Sequence, residues 1–287
     1  MQTAKLGLLT GQNTILDAID VQTAIQTQTG ELISQMKTIE DTAYSFATKK
    51  DGVKGMAVMG PPGVGKTEQV VKGLANANAS VEYTKGAEMS AVGFYETLWH
   101  NREEHRILVL DDFDLKNNPQ ATQIIGLLKS ATENHYKPRV VEWRKQPTKY
   151  MQTEGIERKF EYWGQIIWIT NEMPATLQKS KKLSQHLRAL VGPGGRFSPI
   201  VLDWNKQQKY FWTCHLIDNE GMLSHNCRSK RGGHTQETIN VVKDFLKRQF
   251  PNLIDVSPRF ATVVAENYEL WPDDWEEKCL AVNSFEW

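Results

Sequence analysis

A glycine-rich loop contains the residues of the chain that are best suited to bind phosphate. It matches the pattern Gly-x-x-x-x-Gly-Lys-Ser/Thr at every fixed position and comprises Gly60, Pro61, Pro62, Gly63, Val64, Gly65, Lys66 and Thr67. The glycines allow backbone N–H groups to curve around phosphates, and the N-terminus of the helix that begins near Glu68 adds partial positive charge. Lys66 would reach the β- and γ-phosphates of a nucleotide, while the Thr67 hydroxyl would hold Mg²⁺. An accidental glycine-rich turn is the alternative, and the position of the loop between an apolar strand and a helix counts against it.

Two adjacent carboxylates at the end of an apolar segment form the second candidate site. The segment Ile107–Leu110 is typical of a buried strand, and Asp111 and Asp112 follow it directly. Asp111 fits the position that holds Mg²⁺, and Asp112 fits the position that orients and polarises an attacking water molecule. Paired acids alone are a weak signal, but behind a phosphate loop they predict nucleotide hydrolysis. Many ATPases of this kind have Glu in the second position, and Asp112 is one methylene shorter.

Short apolar segments alternate with helical patterns along the first two thirds of the chain. Four of these segments are Gly55–Met59, Val81–Thr84, Ile107–Leu110 and Ile166–Thr170, and a fifth, Pro199–Asp203, follows a Gly/Pro-rich turn. Such segments are typical of strands buried on both faces of a parallel sheet, with the intervening helices as crossovers. We therefore predict an α/β fold with a parallel sheet.

The chain divides into three predicted regions. Residues 1–30 are rich in Thr and Gln and form a candidate N-terminal arm. From Glu31 onward, apolar residues recur at three- and four-residue spacing, which predicts an amphipathic helix packed on the core. Beyond Trp204 the pattern changes to a polar stretch followed by two helical segments. The predicted domains are the arm at 1–30, a nucleotide-binding core at 31–204 and a smaller C-terminal domain at 205–287.

The composition is that of an ordinary soluble globular protein, with 40% hydrophobic and 24% charged residues. The 34 basic and 34 acidic residues cancel, which argues against a chain that coats nucleic acid non-specifically. No apolar run is long enough to cross a bilayer, and the N-terminus lacks the pattern of a signal peptide. We therefore expect a cytoplasmic protein, in the host cytoplasm if it is viral, with no membrane partner.

The three cysteines do not form an even-numbered framework, which fits a reducing compartment. Cys214, His225, Cys227 and His234 lie near one another in the sequence, but their spacing matches none of the usual zinc patterns. A structural zinc site and a set of loop histidines with buried thiols are both open, and the second interpretation is favoured.

Together these blocks resemble the AAA+ superfamily over roughly residues 31–280. The resemblance implies a three-layer αβα P-loop NTPase core with a parallel sheet, and a small, mainly helical C-terminal lid at 205–287. It implies Mg²⁺-dependent hydrolysis of ATP. It also implies that identical subunits assemble into a ring, a hexamer in the usual case, in which a neighbouring subunit completes each ATP site.

Three further residues take roles from this resemblance. Asn171, at the end of the fourth apolar segment, resembles the sensor-1 residue that contacts the γ-phosphate or the attacking water, and a helix cap is the alternative. Arg196 lies in a segment similar to the one that carries the arginine finger, which acts in trans on the neighbour's ATP. An ordinary surface ion pair is the alternative for Arg196, and Arg188 is the second candidate for the finger. Arg259, in the first turn of a helix with Ser257 as N-cap, resembles sensor 2 of the lid.

Residues 139–163 are predicted to form a β-hairpin insert, because apolar or aromatic residues alternate on both sides of a polar stretch. The insert resembles the pre-sensor-1 hairpin of AAA+ subgroups that include superfamily 3 viral helicases and MoxR-type ATPases. The order of blocks is most similar to that of ATPases encoded by bacteriophages. In a ring such hairpins line the pore, and the residues that could follow a phosphate backbone are Arg144, Lys145, Lys149, Tyr150 and Arg158. A solvated loop is the alternative.

Two main classes of function follow. The basic hairpin favours a DNA-binding motor, helicase or loader that serves phage replication or recombination. The neutral net charge and the lack of a recognisable DNA-binding domain favour a MoxR-type ATPase that remodels a protein partner. An ATP-switched assembly scaffold that hydrolyses slowly is a third interpretation.

Overall fold

The computed structural model describes residues 15–49, 54–85, 89–113, 115, 118–133, 138–173 and 184–284. These residues form two compact units. One unit is Gln35–Trp204, and the other contains Asn205–Trp287 together with the start of the first helix through Ser34.

A five-stranded parallel sheet forms the centre of the first unit. Its strands are β1 (Gly55–Met59), β2 (Ser80–Lys85), β3 (Arg106–Asp111), β6 (Gln165–Thr170) and β7 (Phe197–Val201), in the order β2-β3-β6-β1-β7. The residues of β1 and β6 are buried throughout, which is the burial expected of central strands covered on both faces. The predicted parallel α/β sheet is confirmed. The fifth strand lies two residues earlier than predicted and includes Pro199, which an edge strand tolerates because one side of its backbone needs no partner.

Helices flank this sheet. They are α1 (Ile15–Thr48), α2 (Lys66–Asn76), α3 (Ala91–His100), α4 (Ala121–Ala131) and α6 (Ser184–Val191). Apolar residues of α3, α4 and α6 pack with one face of β3 and β6 in a single core cluster. Within the first unit, α1 and α2 lie so close together that a Cβ atom added at Gly73 would be 2.3 Å from the carbonyl oxygen of Glu40.

The helix α1 begins earlier than the sequence pattern predicted. Its apolar stripe starts at Leu32 and includes Met36 and Ile39, which are buried, as the pattern from Glu31 indicated. The helix nevertheless extends back to Ile15 through a segment with little periodicity, because Thr and Gln tolerate helical geometry without specifying it. The predicted arm at 1–30 otherwise falls on residues outside those that the structure describes.

The hairpin insert consists of β4 (Arg139–Glu142) and β5 (Lys159–Tyr162), which pair in antiparallel register. A short helix, α5 (Lys149–Thr153), lies between them, and the Thr148 side chain caps it by accepting from the Met151 N–H. Phe160 and Tyr162 face the core while Lys159 and Glu161 face solvent, which is the predicted alternation.

The second unit is helical. It contains α7 (Lys206–Asn219), α8 (Gln236–Gln249), α9 (Pro258–Leu270) and α10 (Trp275–Asn283) around a core of apolar residues. The polar stretch after residue 204, where no helix was predicted from the sequence, begins with α7, whose N-terminus has a capping box formed by Asn205 and Gln208. The Asn-x-x-Gln spacing was the signal in the sequence that would have revealed this helix.

Candidate nucleotide-binding site

The phosphate loop connects the carboxyl end of β1 to the N-terminus of α2. Gly63 and Gly65 have φ angles of 76° and 95°, which glycine adopts without strain. A Cβ atom at Gly60 would be 2.7 Å from the Cβ of Leu202, so the chain can leave β1 here only as glycine. Gly65 occupies the N-cap position of α2 and has no side chain with which to cap the helix. The loop therefore presents a helix N-terminus suited to an anion such as a phosphate group.

The ammonium group of Lys66 is buried and points back into this loop. Its Nζ donates to the carbonyl oxygens of Gly60 and Pro61 at 2.9 and 2.8 Å, and to the Oδ1 of Asn171 at 2.8 Å. Lys66 is only 5% exposed, so its charge depends on these acceptors. Phosphate oxygens offer the same kind of acceptor with more negative charge, and the position of Lys66 therefore suits a polyphosphate.

Thr67 and Asp111 meet at the carboxyl edge of the sheet. The Thr67 hydroxyl donates to the Oδ1 of Asp111 at 2.8 Å, across 44 positions of sequence. Carboxylate and hydroxyl oxygens are the hard ligands that Mg²⁺ prefers, and this pair fits such an ion.

Asp112 and Asn171 complete the cluster. The Asn171 Nδ2 donates to the Oδ1 of Asp112 at 3.0 Å, so the Asn171 amide bridges Lys66 and Asp112. Asp112 has φ 51°, a left-handed conformation that aspartate tolerates better than most residues. The next residue is fixed by Trp168, whose Nε1 donates to the Phe113 carbonyl at 3.0 Å. The turn after β3 therefore presents an exposed carboxylate beside the buried lysine.

The chain is 31% identical over 236 residues to a protein of Enterobacteria phage T4, described as an uncharacterized 36.7 kDa protein in the nrdC-mobD intergenic region; the match covers 81% of this chain and 69% of the phage protein. The chain belongs to the same family as this phage protein. No protein-family model matches the chain.

Solved structures of similar fold include RuvB from Thermotoga maritima and its single-residue variants. One of these variants has a TM-score of 0.48 at 13% identity, and the match covers 88% of this chain and 70% of the RuvB chain. The structure described as the RuvB Holliday junction branch migration motor has a TM-score of 0.47 at 14% identity, with 87% and 68% of the two chains covered.

The structure places Arg196 at the opposite edge of the sheet from the phosphate loop of the same chain. Phe197, the next residue, pairs with Gly55 at the start of β1, whereas the loop follows the end of β1. Arg196 is therefore level with Lys54, and at about 3.3 Å per residue the six steps from Lys54 to Gly60 separate it from the loop by roughly 20 Å. The guanidinium of Arg196 forms an ion pair with Glu133, with Nη2 and Oε2 2.5 Å apart. The structure thus contains the ion pair that was the alternative interpretation of Arg196.

The two other arginines with predicted roles are exposed. Arg188 lies on α6, and Arg259 lies in the first turn of α9. The predicted N-cap of α9 is present, since the Ser257 side chain accepts from the Phe260 N–H. Arg259 belongs to the helical unit, and its assignment as sensor 2 stays a prediction.

The basic residues of the hairpin insert differ in how they are held. Arg144 pairs with Glu142 at 3.0 Å, the Lys145 Nζ donates to the Gln123 Oε1 at 2.8 Å, and the Arg158 Nε donates to the Trp143 carbonyl at 3.3 Å. The two that project from the short helix α5 are exposed, namely Lys149 and Tyr150, the latter to 50%.

The cysteine and histidine cluster of the helical unit gives no metal site within the described residues, where no group of three His, Cys, Asp or Glu side chains could hold an ion. His234 instead contacts Glu269, with its Nδ1 2.9 Å from the Oε1. The described helices also include none that is long and apolar enough to cross a membrane.

Two residues that contact these side chains or the phosphate loop were not predicted from the sequence. Glu133, the partner of Arg196, is 63 positions away and follows no pattern, so nothing in the sequence marks it. Met36 lies on the predicted apolar stripe of α1, and a Cβ atom added at Gly65 would be 3.6 Å from its Cε. The stripe predicted that Met36 is buried but not that it lies against the phosphate loop.

Proposed function

We propose that the chain is a Mg²⁺-dependent ATPase that works in a ring of identical subunits, a hexamer in the expected case, and acts on DNA. The observation that carries the ATPase proposal is the convergence of five residues from separate segments at one edge of the sheet, namely Lys66, Thr67, Asp111, Asp112 and Asn171. Their types match the roles that hydrolysis of a nucleoside triphosphate requires.

In this proposal the loop amides and Lys66 bind the β- and γ-phosphates. Lys66 exchanges its contacts with the Gly60 and Pro61 carbonyls for phosphate oxygens. Thr67 and Asp111 hold Mg²⁺, which neutralises charge on the phosphates. Asp112 accepts a hydrogen bond from the attacking water and orients it in line, while the Asn171 amide holds the Asp112 carboxylate in place and contacts the γ-phosphate or this water.

A neighbouring subunit supplies Arg196 in trans. The separation of Arg196 from its own loop supports this role, because an arginine side chain cannot span roughly 20 Å. A guanidinium that enters the neighbour's site stabilises charge on the transferred phosphoryl group, an effect of about 10³–10⁵ in rate in related systems. Arg259 contacts the phosphates of its own subunit from the lid, and Arg188 is the alternative finger.

Action on DNA is proposed from the hairpin. The segment Trp143–Arg158 contains four basic and two acidic residues, and Lys149 and Tyr150 project from a capped helical turn. An exposed cation beside an exposed aromatic ring suits a phosphate backbone with stacked bases. The match to a phage T4 protein supports a bacteriophage setting. In that setting the proposed role is that of a motor, helicase or loader in replication or recombination.

A second candidate function is remodelling of a protein partner, as in MoxR-type ATPases. It is favoured by a surface beside β5. A cavity of about 240 Å³ there is lined by three aromatic residues, by one cation, Arg102, and by three carboxylates, Glu103, Glu157 and Glu161. These carboxylates would repel a phosphate backbone, whereas a protein surface with basic side chains would be tolerated. An ATP-switched scaffold remains a third candidate.

The test is the steady-state rate of Mg-ATP hydrolysis with no DNA, with single-stranded DNA and with double-stranded DNA, at low and moderate salt. Stimulation by DNA that weakens as salt rises would support the DNA proposal. Lys149→Gln should reduce the stimulation, whereas Lys247→Gln, which removes an exposed charge from α8, should not. A rate that is indifferent to DNA in every condition would contradict DNA action and favour the protein partner. A lack of nucleotide binding in wild type, or unchanged binding in Lys66→Ala, would contradict the ATPase proposal itself.

A further inference from the structure

The guanidinium of Arg196 is held by one carboxylate. Its Nη2 forms the 2.5 Å ion pair with Glu133, and the two side chains are 27% and 23% exposed. Its Nε is buried and has no hydrogen-bond partner among the described residues. The backbone is held as well, since the Arg196 N–H donates to the Ala189 carbonyl at 3.3 Å. The side chain is therefore fixed in one orientation by its ion pair with Glu133.

Glu133 itself lies on an anchored turn at the C-terminus of α4. The preceding residue, Thr132, donates through both its N–H and its hydroxyl to the Leu128 carbonyl, at 2.9 and 2.7 Å. The buried guanidinium of Arg139 donates to the Ala131 carbonyl at 2.6 Å and to the Gly164 carbonyl at 2.9 Å. These contacts tie the end of α4 to the hairpin and to the start of β6, so Glu133 is presented from a rigid base.

The charges near Arg196 favour an approaching anion. Lys129, one turn before Glu133 on α4, lies close enough to Arg196 that burial and this neighbouring charge together lower the pKa of the lysine. The carboxylate of Glu133 therefore lies in a region that also holds two cations. A triphosphate with several negative charges can compete for the guanidinium against the single charge of Glu133.

We propose that Glu133 is the positioning residue of the arginine finger: it holds Arg196 in the orientation from which the guanidinium reaches the neighbouring subunit's nucleotide. This inference rests on the proposed trans role of Arg196. Without Glu133 the side chain would sample many rotamers, and fewer encounters would place it against the transferred phosphoryl group. The loss would appear in the rate of hydrolysis and not in the affinity of a subunit for its own nucleotide.

The first experiment measures kcat and the nucleotide Kd of full-length variants. We expect Glu133→Ala to lower kcat about tenfold and to leave Kd within about twofold of wild type, since the residue orients a group that acts in the transition state. Glu133→Gln keeps an acceptor oxygen and should lie between wild type and Glu133→Ala. Glu277→Gln, an exposed glutamate on α10, is the matched control and should retain the wild-type rate. Equal rates for wild type and both Glu133 variants would overturn the proposal.

The second experiment separates an action in trans from a merely structural role. Lys66→Ala subunits cannot bind nucleotide but carry an intact Glu133–Arg196 pair. Mixed with Glu133→Ala subunits, they should raise the rate above the average of the two separate proteins, because each intact pair can serve a competent neighbour. If Glu133→Ala does not fold, as a thermal melt would reveal, Glu133→Gln takes its place in the mixture and is expected to show a smaller gain.

Arg196→Ala mixed with Lys66→Ala is the reference for the proposed function. If this mixture shows no gain, the trans role of Arg196 fails, and the inference about Glu133 fails with it. If the Arg196 mixture recovers activity while the Glu133 mixture does not, only the positioning role is overturned, and Glu133 acts within its own subunit.

Discussion

Replacing Asn171 with aspartate preserves the shape of the side chain but reverses one of its two contacts. In wild type the Oδ1 accepts from Lys66 at 2.8 Å and the Nδ2 donates to Asp112 at 3.0 Å. In Asn171→Asp the contact with Lys66 becomes an ion pair, and the contact with Asp112 becomes repulsive because it brings two carboxylate oxygens together. The variant therefore tests whether the amide is what holds the cluster together.

The magnitude follows from the distance. Two unit charges about 3 Å apart repel by about 1.4 kcal/mol at the dielectric constant of water, and by more as the site loses water. Because Asp112 is exposed, the lower figure applies, and it corresponds to about a tenfold effect on a rate. The new carboxylate also competes with phosphate for the ammonium group of Lys66. We expect kcat to fall at least tenfold and the nucleotide Kd to rise several-fold.

The assay compares Asn171→Asp with Asn171→Ala, using equilibrium nucleotide binding and steady-state hydrolysis. The alanine variant also loses the contact to Asp112, but it leaves Lys66 without a competing anion, so its nucleotide Kd should stay near that of wild type. Asn240→Asp, which adds the same charge at an exposed position of α8, should change neither quantity. Wild-type kcat and Kd in Asn171→Asp would refute the role of the amide bridge.

Three further changes test the packing and charge of the fold. Gly73→Ala should destabilise the protein by about 1–3 kcal/mol in urea unfolding, because its Cβ would be 2.3 Å from the Glu40 carbonyl oxygen. The control Gly126→Ala, with open space around it, should be neutral or stabilising by up to about 1 kcal/mol, and equal effects of the two changes would contradict the close approach of α1 and α2. Arg139→Met should lower the free energy of unfolding by about 2–4 kcal/mol, because two carbonyls lose their buried donor. The control Arg144→Met, at a side chain that is 84% exposed, should lower it by less than about 0.5 kcal/mol. Burial raises the pKa of Glu269, but hydrogen bonds from Lys230 and His234 outweigh burial and leave this pKa below its usual value. The Glu269 carboxylate therefore stabilises the fold at pH values above its unfolded pKa, and this stabilisation is lost as pH falls through the folded pKa. Glu269→Gln should therefore lower the midpoint of urea unfolding at pH 7 and have less effect near pH 3. An effect independent of pH would show that ionisation of Glu269 does not contribute to stability.

The sequence by itself predicted the chemistry of the candidate nucleotide site. The spacing from Gly60 to Thr67 requires a loop between a strand and a helix, and the acids Asp111 and Asp112 must lie at the end of a strand as apolar as Ile107–Leu110. Both inferences depend on residues that are adjacent in the chain, where local geometry fixes the outcome. The hairpin could be predicted for the same reason, since its alternation is a local pattern.

Tertiary structure alone decided which distant residues meet. The order β2-β3-β6-β1-β7 places β6 between β3 and β1, and so brings Asn171 between Lys66 and Asp112. The parallel register of β7 with β1 places Arg196 at the edge of the sheet opposite the loop, against Glu133. No local pattern specifies these contacts, because strand order and register come from how the apolar faces of the whole sheet are buried by its helices.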